Sequence, residues 1–168
     1  ISLANSIMYQ NLSNMKDNLE TMVKERTREL QTKNDQMIFE LKVAKNVQRT
    51  IFPVKLPAGE QVSIVTRLEP LMEVSGDFYD VIETADDRII FALADVSGHG
   101  VPSALLTSMI KTEFEAQSKR HTDPGRLCAA MNEVLTPVLI ETGFYFTMFL
   151  GILDTRTIEL EYTNCGHT

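Results

Sequence analysis

Apolar positions change their period along the chain. Met8, Leu12, Met15, Leu19 and Met22 step by 4, 3, 4 and 3, the spacing of a helical seam. The register slips through Arg26 and Leu30, then resumes at Met37, Leu41, Ala44, Gln48 and Ile51 with the same steps. An extra step of four is a stutter, which locally relaxes a supercoil. The pattern predicts one long helix, with a coiled coil up to about Leu41. A single amphipathic helix lying on its own domain is the alternative. Beyond Leu41, the residues Val43, Val47, Ile51 and Phe52 broaden the apolar face, so this end is expected to pack on a globular part.

After Pro53 the signals alternate. Val62–Leu68 and Phe78–Thr84 read as strands, with a tight turn at Ala85-Asp86-Asp87. Arg88–Asp95 is a continuous apolar run of strand length, as expected of a central buried strand. Ser97-Gly98-His99-Gly100 interrupts it. A helix is predicted from about Pro102, with Leu105, Met109, Ile110 and Phe114 on its inner face. Asp123-Pro124 opens a second helix, with Leu127, Met131 and Leu135 inward. Phe144–Leu153 and Ile158–Thr163, joined by a turn at Asp154–Thr157, predict a hairpin. Strands joined by tight turns and followed by helices point to an α+β fold with antiparallel sheets.

Composition sharpens the division. All 8 glycines and all 6 prolines of the 168 residues fall at or after Pro53. Residues 1–52 carry 8 Lys/Arg against 6 Asp/Glu, whereas residues 53–168 carry 8 against 17. A helical segment over 1–52 and an acidic compact domain over 53–168 follow. The net charge of −7 argues against nucleic acid as a partner and suits a protein that gathers cations. The 43% hydrophobic content excludes wholesale disorder, and no apolar run is long enough to span a membrane. Two cysteines, Cys128 and Cys165, are too few for a disulfide framework, so a reducing compartment is expected. The opening Ile1-Ser2-Leu3 has no initiator Met and no signal peptide, as in an excerpt from a longer polypeptide.

Two acidic clusters stand apart from ordinary surface charge. Val74–Asp80 (VSGDFYD) opens a strand with a Gly-Asp pair, and Ala94–Gly100 (ADVSGHG) ends an apolar strand on Asp95 before a glycine-rich loop. The intervening hairpin brings Asp77 beside Asp95. Two converging carboxylates repel unless a cation sits between them, and hard ions such as Mg²⁺ or Mn²⁺ take such oxygen ligands. The alternatives are that Asp77 is a turn residue and Asp95 the cap of the following helix. His99 is expected to be a loop residue, His121 ordinary surface, and the aromatics Phe78, Tyr79, Phe144, Tyr145, Phe146 and Phe149 core. Glu159 and Glu161 read as a solvated strand face.

Taken in order, VSGDFYD (74–80), ADVSGHGVPSALL (94–106), FTMFLGILD (146–154) and YTNCGH (162–167) resemble the motifs of bacterial PP2C-like (PPM) serine/threonine phosphatases of the SpoIIE/RsbU type. The preceding VAKNVQRTIFP (43–53) is similar to that family's lead-in. The resemblance implies an α-β-β-α sandwich of two antiparallel sheets, of which this chain would form part. It implies a two-ion Mn²⁺ or Mg²⁺ site in which Asp77 and Asp95 are ligands and catalytic residues, and Val96 contributes its backbone carbonyl. An activated water would then attack phosphoserine or phosphothreonine in line, with no covalent intermediate. The substrate implied is a phosphorylated STAS anti-sigma-factor antagonist in a partner-switching system. Glu25–Leu30 (ERTREL) lies in a seam resembling signalling helices, which implies a cytoplasmic homodimer whose parent is joined to a sensor, membrane-attached or not, with no membrane contact in this segment.

Ser75 stands where the family often has Gly, and Cys165 where it often has Ala. The sequence given stops at Thr168, before the family's downstream carboxylates, so the piece by itself is expected to be inactive. Two rival readings remain. One is a catalytically silent dimerisation or partner-binding module of the same fold. The other is a nucleotide cyclase, suggested by Ser75-Gly76-Asp77-Phe78 after a coiled coil, although it lacks a Glu at position 78 and leaves DVSGHG unexplained.

Overall fold

The computed structural model describes residues 3–58, 61–70 and 72–168. The first two positions of the expected helical segment lie outside these. Helix α1 (Leu3–Arg49) runs without a Gly or Pro. The chain divides into two compact units, residues 1–40 and 41–168.

In the first unit the seam residues Met8, Leu12, Met15, Leu19 and Met22 are all exposed. In the second, the last turns of α1 behave differently. Gln48 is buried, and Ile51 and Phe52 pack against the core. Val43 and Val47, expected to face inward, are exposed. The inward face of these turns is the heptad continuation through Leu41, Ala44, Gln48 and Ile51, and the two valines sit beside it. Phe52 meets Tyr79 with ring centroids 5.1 Å apart. The helix ends at Arg49 in a tight turn, with Thr50 and Ile51 N–H donating to the Val47 and Gln48 carbonyls, and Pro53, which lacks an amide hydrogen, keeps it from resuming.

Strands β1 (Asp77–Glu83), β2 (Arg88–Val96), β3 (Phe146–Asp154) and β4 (Glu159–Cys165) form a four-stranded antiparallel sheet in sequence order. The β1–β2 turn places Asp87 in the left-handed region (φ 62°), a conformation Asp tolerates. In the β3–β4 turn the Asp154 carboxylate accepts from the Arg156 and Thr157 amides at 2.9 and 3.2 Å. Helices α2 (Val101–Ser118) and α3 (Pro124–Thr142) cross between β2 and β3. Asp123 caps α3, accepting from Arg126 N–H at 2.7 Å.

The core lies between the sheet and these helices: Phe78, Ile90, Ala92, Met148, Leu150 and Ile152 face Leu106, Ile110, Phe114, Leu127, Met131 and Leu135. Phe114, Leu127 and Leu150 are fully buried, each burial stabilising by roughly 1.5–3 kcal/mol. On α2 the expected inner face is half right. Ile110 and Phe114 point inward, but Leu105 and Met109 are exposed, because Ala104, Leu106 and Thr107 fill the inner positions. Tyr145, expected in the core, is exposed. Phe91, Phe149 and Tyr162 stack along the opposite sheet face, with centroids 6.2 and 5.3 Å apart.

The α+β architecture with an antiparallel sheet is therefore as expected. The described residues make one sheet with its helical layer. Val62–Leu68 is not a strand. Its side chains alternate half-buried and exposed, and its one isolated bridge pairs Ser63 with Ala58. Its alternation is that of a strand, but no strand among the described residues pairs with it.

Candidate functional site

The β1–β2 hairpin sets the register that defines the site. Asp77, the first residue of β1, stands directly opposite Asp95, the penultimate residue of β2. Directly paired residues of an antiparallel ladder project to the same face with Cβ atoms about 4.5–5.5 Å apart, and like charges there repel. Both side chains are exposed, and neither forms an ion pair among the described residues. The next residue across the sheet from Asp95 is Thr147 of β3, whose hydroxyl lies 3.1 Å from His167 Nδ1. Asp77, Asp95 and Thr147 thus form a row across three strands, with His167 at its end.

The glycines around this row have separate reasons. A Cβ on Gly76 would come within 2.9 Å of the Val96 carbonyl oxygen and 3.2 Å of Ser103 Cβ on α2. Only glycine fits between the end of β2 and that helix. Val96 N–H donates to the Gly76 carbonyl at 3.1 Å, tying the two acidic segments together. After Val96, Gly98 and Gly100 adopt positive φ (83° and 84°), so the loop turns sharply into α2. Ser97 fixes the loop from the other side: its amide donates to the Tyr145 carbonyl at 2.8 Å and its hydroxyl accepts from Tyr145 N–H at 3.0 Å. His99 is exposed in the loop, as expected. Helix α2 begins at Gly100 with no side-chain cap, so Asp95 is not a cap and its carboxylate is left to the site.

One buried residue, Gln48, braces the site, and sequence reasoning did not assign it there. Gln48 grips the backbone of Ser75: its Nε2 donates to the Ser75 carbonyl at 2.6 Å and to Thr107 Oγ1 at 3.1 Å, while its Oε1 accepts from Ser75 N–H at 3.0 Å. Ser75 Oγ in turn accepts from Asp77 N–H at 3.0 Å and donates to the Asp77 carboxylate at 3.3 Å. The signal was a polar residue at a seam position otherwise apolar. Asp80, 1% exposed, accepts from Lys111 Nζ at 2.6 Å, and Glu115 lies 3.0 Å from the same ammonium. Burial pulls Lys111 toward its neutral form, but its bonds to Asp80 and Glu115 outweigh that and hold its pKa above the ordinary 10.5. Asp80 lies on the opposite face of β1 from Tyr79 and two residues from Phe78, so it belongs to the helix-packed side.

The donor set suits a hard cation. Asp77 and Asp95 supply opposed carboxylates that make no ion pair among the described residues, and the Val96 carbonyl is held close by. Among the described residues no third His, Cys, Asp or Glu side chain joins them. The remaining ligand positions would fall to backbone oxygen, water or phosphate.

The fold is that of a PP2C-like domain, here with an acidic pair at one end of the sheet. The chain belongs to the SpoIIE family, "Stage II sporulation protein E", whose model matches residues 85–168. It is 30% identical over 128 residues to the phosphoserine phosphatase RsbU of Bacillus subtilis (strain 168), covering 76% of this chain and 38% of that protein. It is 26% identical over 131 residues to the phosphoserine phosphatase RsbP of the same organism, covering 76% of this chain and 32% of that protein. The SiaA-PP2C domain of Pseudomonas aeruginosa superposes with a TM-score of 0.68 at 25% identity, covering 78% of this chain and 54% of that one. The chain thus spans less than two-fifths of the length of these two curated relatives. Family membership sets the cyclase reading aside.

Proposed function

We propose that this chain carries metal-ligating residues of a metal-dependent protein phosphatase acting on phosphoserine or phosphothreonine. The observation that carries the reading is the register that sets Asp77 opposite Asp95, beside the Gly76–Val96 contact. In this reading Asp77 and Asp95 are the side-chain ligands for Mn²⁺ or Mg²⁺ and Val96 offers its carbonyl. Bound there, such ions acidify a water and neutralise phosphoryl oxygens. The protein's own residues orient the ligands. Gln48 and Ser75 fix the backbone before Asp77, and Ser97 and the two positive-φ glycines fix the loop after Val96.

The relatives RsbU and RsbP are named phosphoserine phosphatases, which supports a phosphoserine substrate, and the motif resemblance makes a STAS protein its proposed carrier. We further propose that the exposed seam of α1 joins two copies in a parallel coiled coil and transmits regulation. No described helix is long and apolar enough to cross a membrane.

The test is hydrolysis of a phosphoserine STAS substrate by the full-length protein with saturating Mn²⁺. Asp77→Asn and Asp95→Asn should each keep the fold and remove most turnover. Near wild-type turnover in both would refute the assignment and favour a silent partner-binding module.

A further inference from the structure

Two thiols meet where α3 packs beside the edge strand. Cys128 Sγ and Cys165 Sγ lie 2.7 Å apart although 37 residues separate them, and both are free thiols. Cys128 is half-buried on α3, while Cys165, the last residue of β4, is exposed. Both cysteines line a hollow of ≈ 400 Å³ together with Ala129, Met131, Tyr145, Met148 and Thr163. Burial in these surroundings, and then the hydrogen bond with Cys165, push the Cys128 thiol up to about 12. The pair therefore has one sheltered, protonated sulfur and one open to solvent.

We propose that Cys128 and Cys165 form a reversible intramolecular disulfide on exposure to hydrogen peroxide, stapling α3 to β4. The exposed Cys165, as thiolate, attacks one peroxide oxygen. An S–O bond forms, the O–O bond breaks, and the departing hydroxide takes up a proton as water. The Cys128 sulfur then attacks the sulfur of the Cys165 sulfenic acid. The S–S bond forms, the S–O bond breaks, and the hydroxyl leaves as a second water with the Cys128 proton. Both sulfurs are oxidised and both peroxide oxygens end as water. Cys128 suits the second role because it is half-buried and already in contact with the Cys165 sulfur, so it is shielded from peroxide and placed beside the sulfenic acid.

The staple would act on the end of the sheet that carries His167. Asn164, adjacent to Cys165, holds the next turn: its Oδ1 accepts from His167 N–H at 2.8 Å and its Nδ2 donates to the His167 carbonyl at 3.0 Å. Fixing Cys165 to α3 therefore also fixes the turn that sets His167 against Thr147, at the end of the acidic row.

The experiment treats the reduced full chain with hydrogen peroxide, blocks free thiols with N-ethylmaleimide and maps peptides by mass spectrometry. A linked Cys128–Cys165 peptide is expected, reversed by dithiothreitol, and the oxidised chain should melt about 10 °C higher than the reduced one. Cys165→Ser should abolish both effects, and Cys128→Ser should leave Cys165 trapped as a dimedone-reactive sulfenic acid. Over-oxidised Cys165 without the linked peptide, linkage only between chains, or an unchanged melting temperature would overturn the proposal.

Discussion

Lys111 of α2 donates to the carboxylate of Asp80 on β1 at 2.6 Å, within the interface between helix and sheet. Removing the ammonium alone leaves a buried, unpaired anion. Lys111→Met should therefore destabilise the domain by about 3–5 kcal/mol in urea unfolding, and adding Asp80→Leu should recover much of that loss. The pair also sets a pH dependence. Because the folded state holds Lys111 above its ordinary 10.5, its contribution is complete below that pH and is lost as pH rises through the folded-state value. Wild-type stability should fall above about pH 10.5, and Lys111→Met should lose that part of the decline.

Gln48 makes three hydrogen bonds in a buried setting, two of them to one residue's backbone. Gln48→Ala leaves the Ser75 amide and carbonyl without those partners and should cost about 1–3 kcal/mol. Since Ser75 positions Asp77, Mn²⁺ affinity should drop while circular dichroism stays that of the folded protein. Gln48→Glu keeps the acceptor but replaces the donor with oxygen facing the Ser75 carbonyl. It should be no better than Ala.

Gly76 and Gly100 should respond to alanine for different reasons. At Gly76 the obstacle is backbone oxygen 2.9 Å from the new Cβ, which has no flexible end to yield. Gly76→Ala should destabilise by about 1–3 kcal/mol and shift the β1–β2 end of the sheet. At Gly100 space is open, but φ 84° with ψ −156° is a conformation essentially confined to glycine, so the cost is conformational, about 1–3 kcal/mol. Thermal denaturation reads both losses, and an unchanged melting temperature in either variant would contradict its cause.

Leu12 and Leu19 are 63% and 62% exposed in a single chain, with Met8, Met15 and Met22 beside them. A parallel dimer would bury this stripe. Changing both leucines to Asp should convert a dimer to a monomer, because unpaired charge at a seam costs several kcal/mol. Sedimentation equilibrium reads the outcome directly, and an unchanged mass in the variant would exclude the seam as the interface.

Much of the architecture was legible because local signals and tertiary demands agreed. The hairpin register that pairs Asp77 with Asp95 follows from the tight turn at Ala85–Asp87 and the apolar run after it. The inner face of α3 followed from Leu127, Met131 and Leu135 at helical spacing. Where the reading failed, the deciding partner was remote in sequence. Val62–Leu68 has a strand's alternation but pairs with no strand among the described residues, and pairing is not encoded in one segment. Leu105 and Met109 lost the inner face of α2 to smaller neighbours, since Ser103, Ala104 and Thr107 let the helix sit close to Gly76 and Gln48. The roles of Gln48, Lys111 and the Cys128–Cys165 contact each depend on a residue at least 27 positions away, beyond any periodicity.

The central claim is that Asp77 and Asp95 act together on one cation. The most direct measurement is Mn²⁺ binding by electron paramagnetic resonance to the wild-type chain, to Asp77→Asn, to Asp95→Asn and to the double variant. The account predicts that each single change weakens binding at least tenfold, and that the double variant is scarcely worse than either single one, because the ligands share one ion. Wild-type affinity in both single variants, or independent and additive losses, would contradict it.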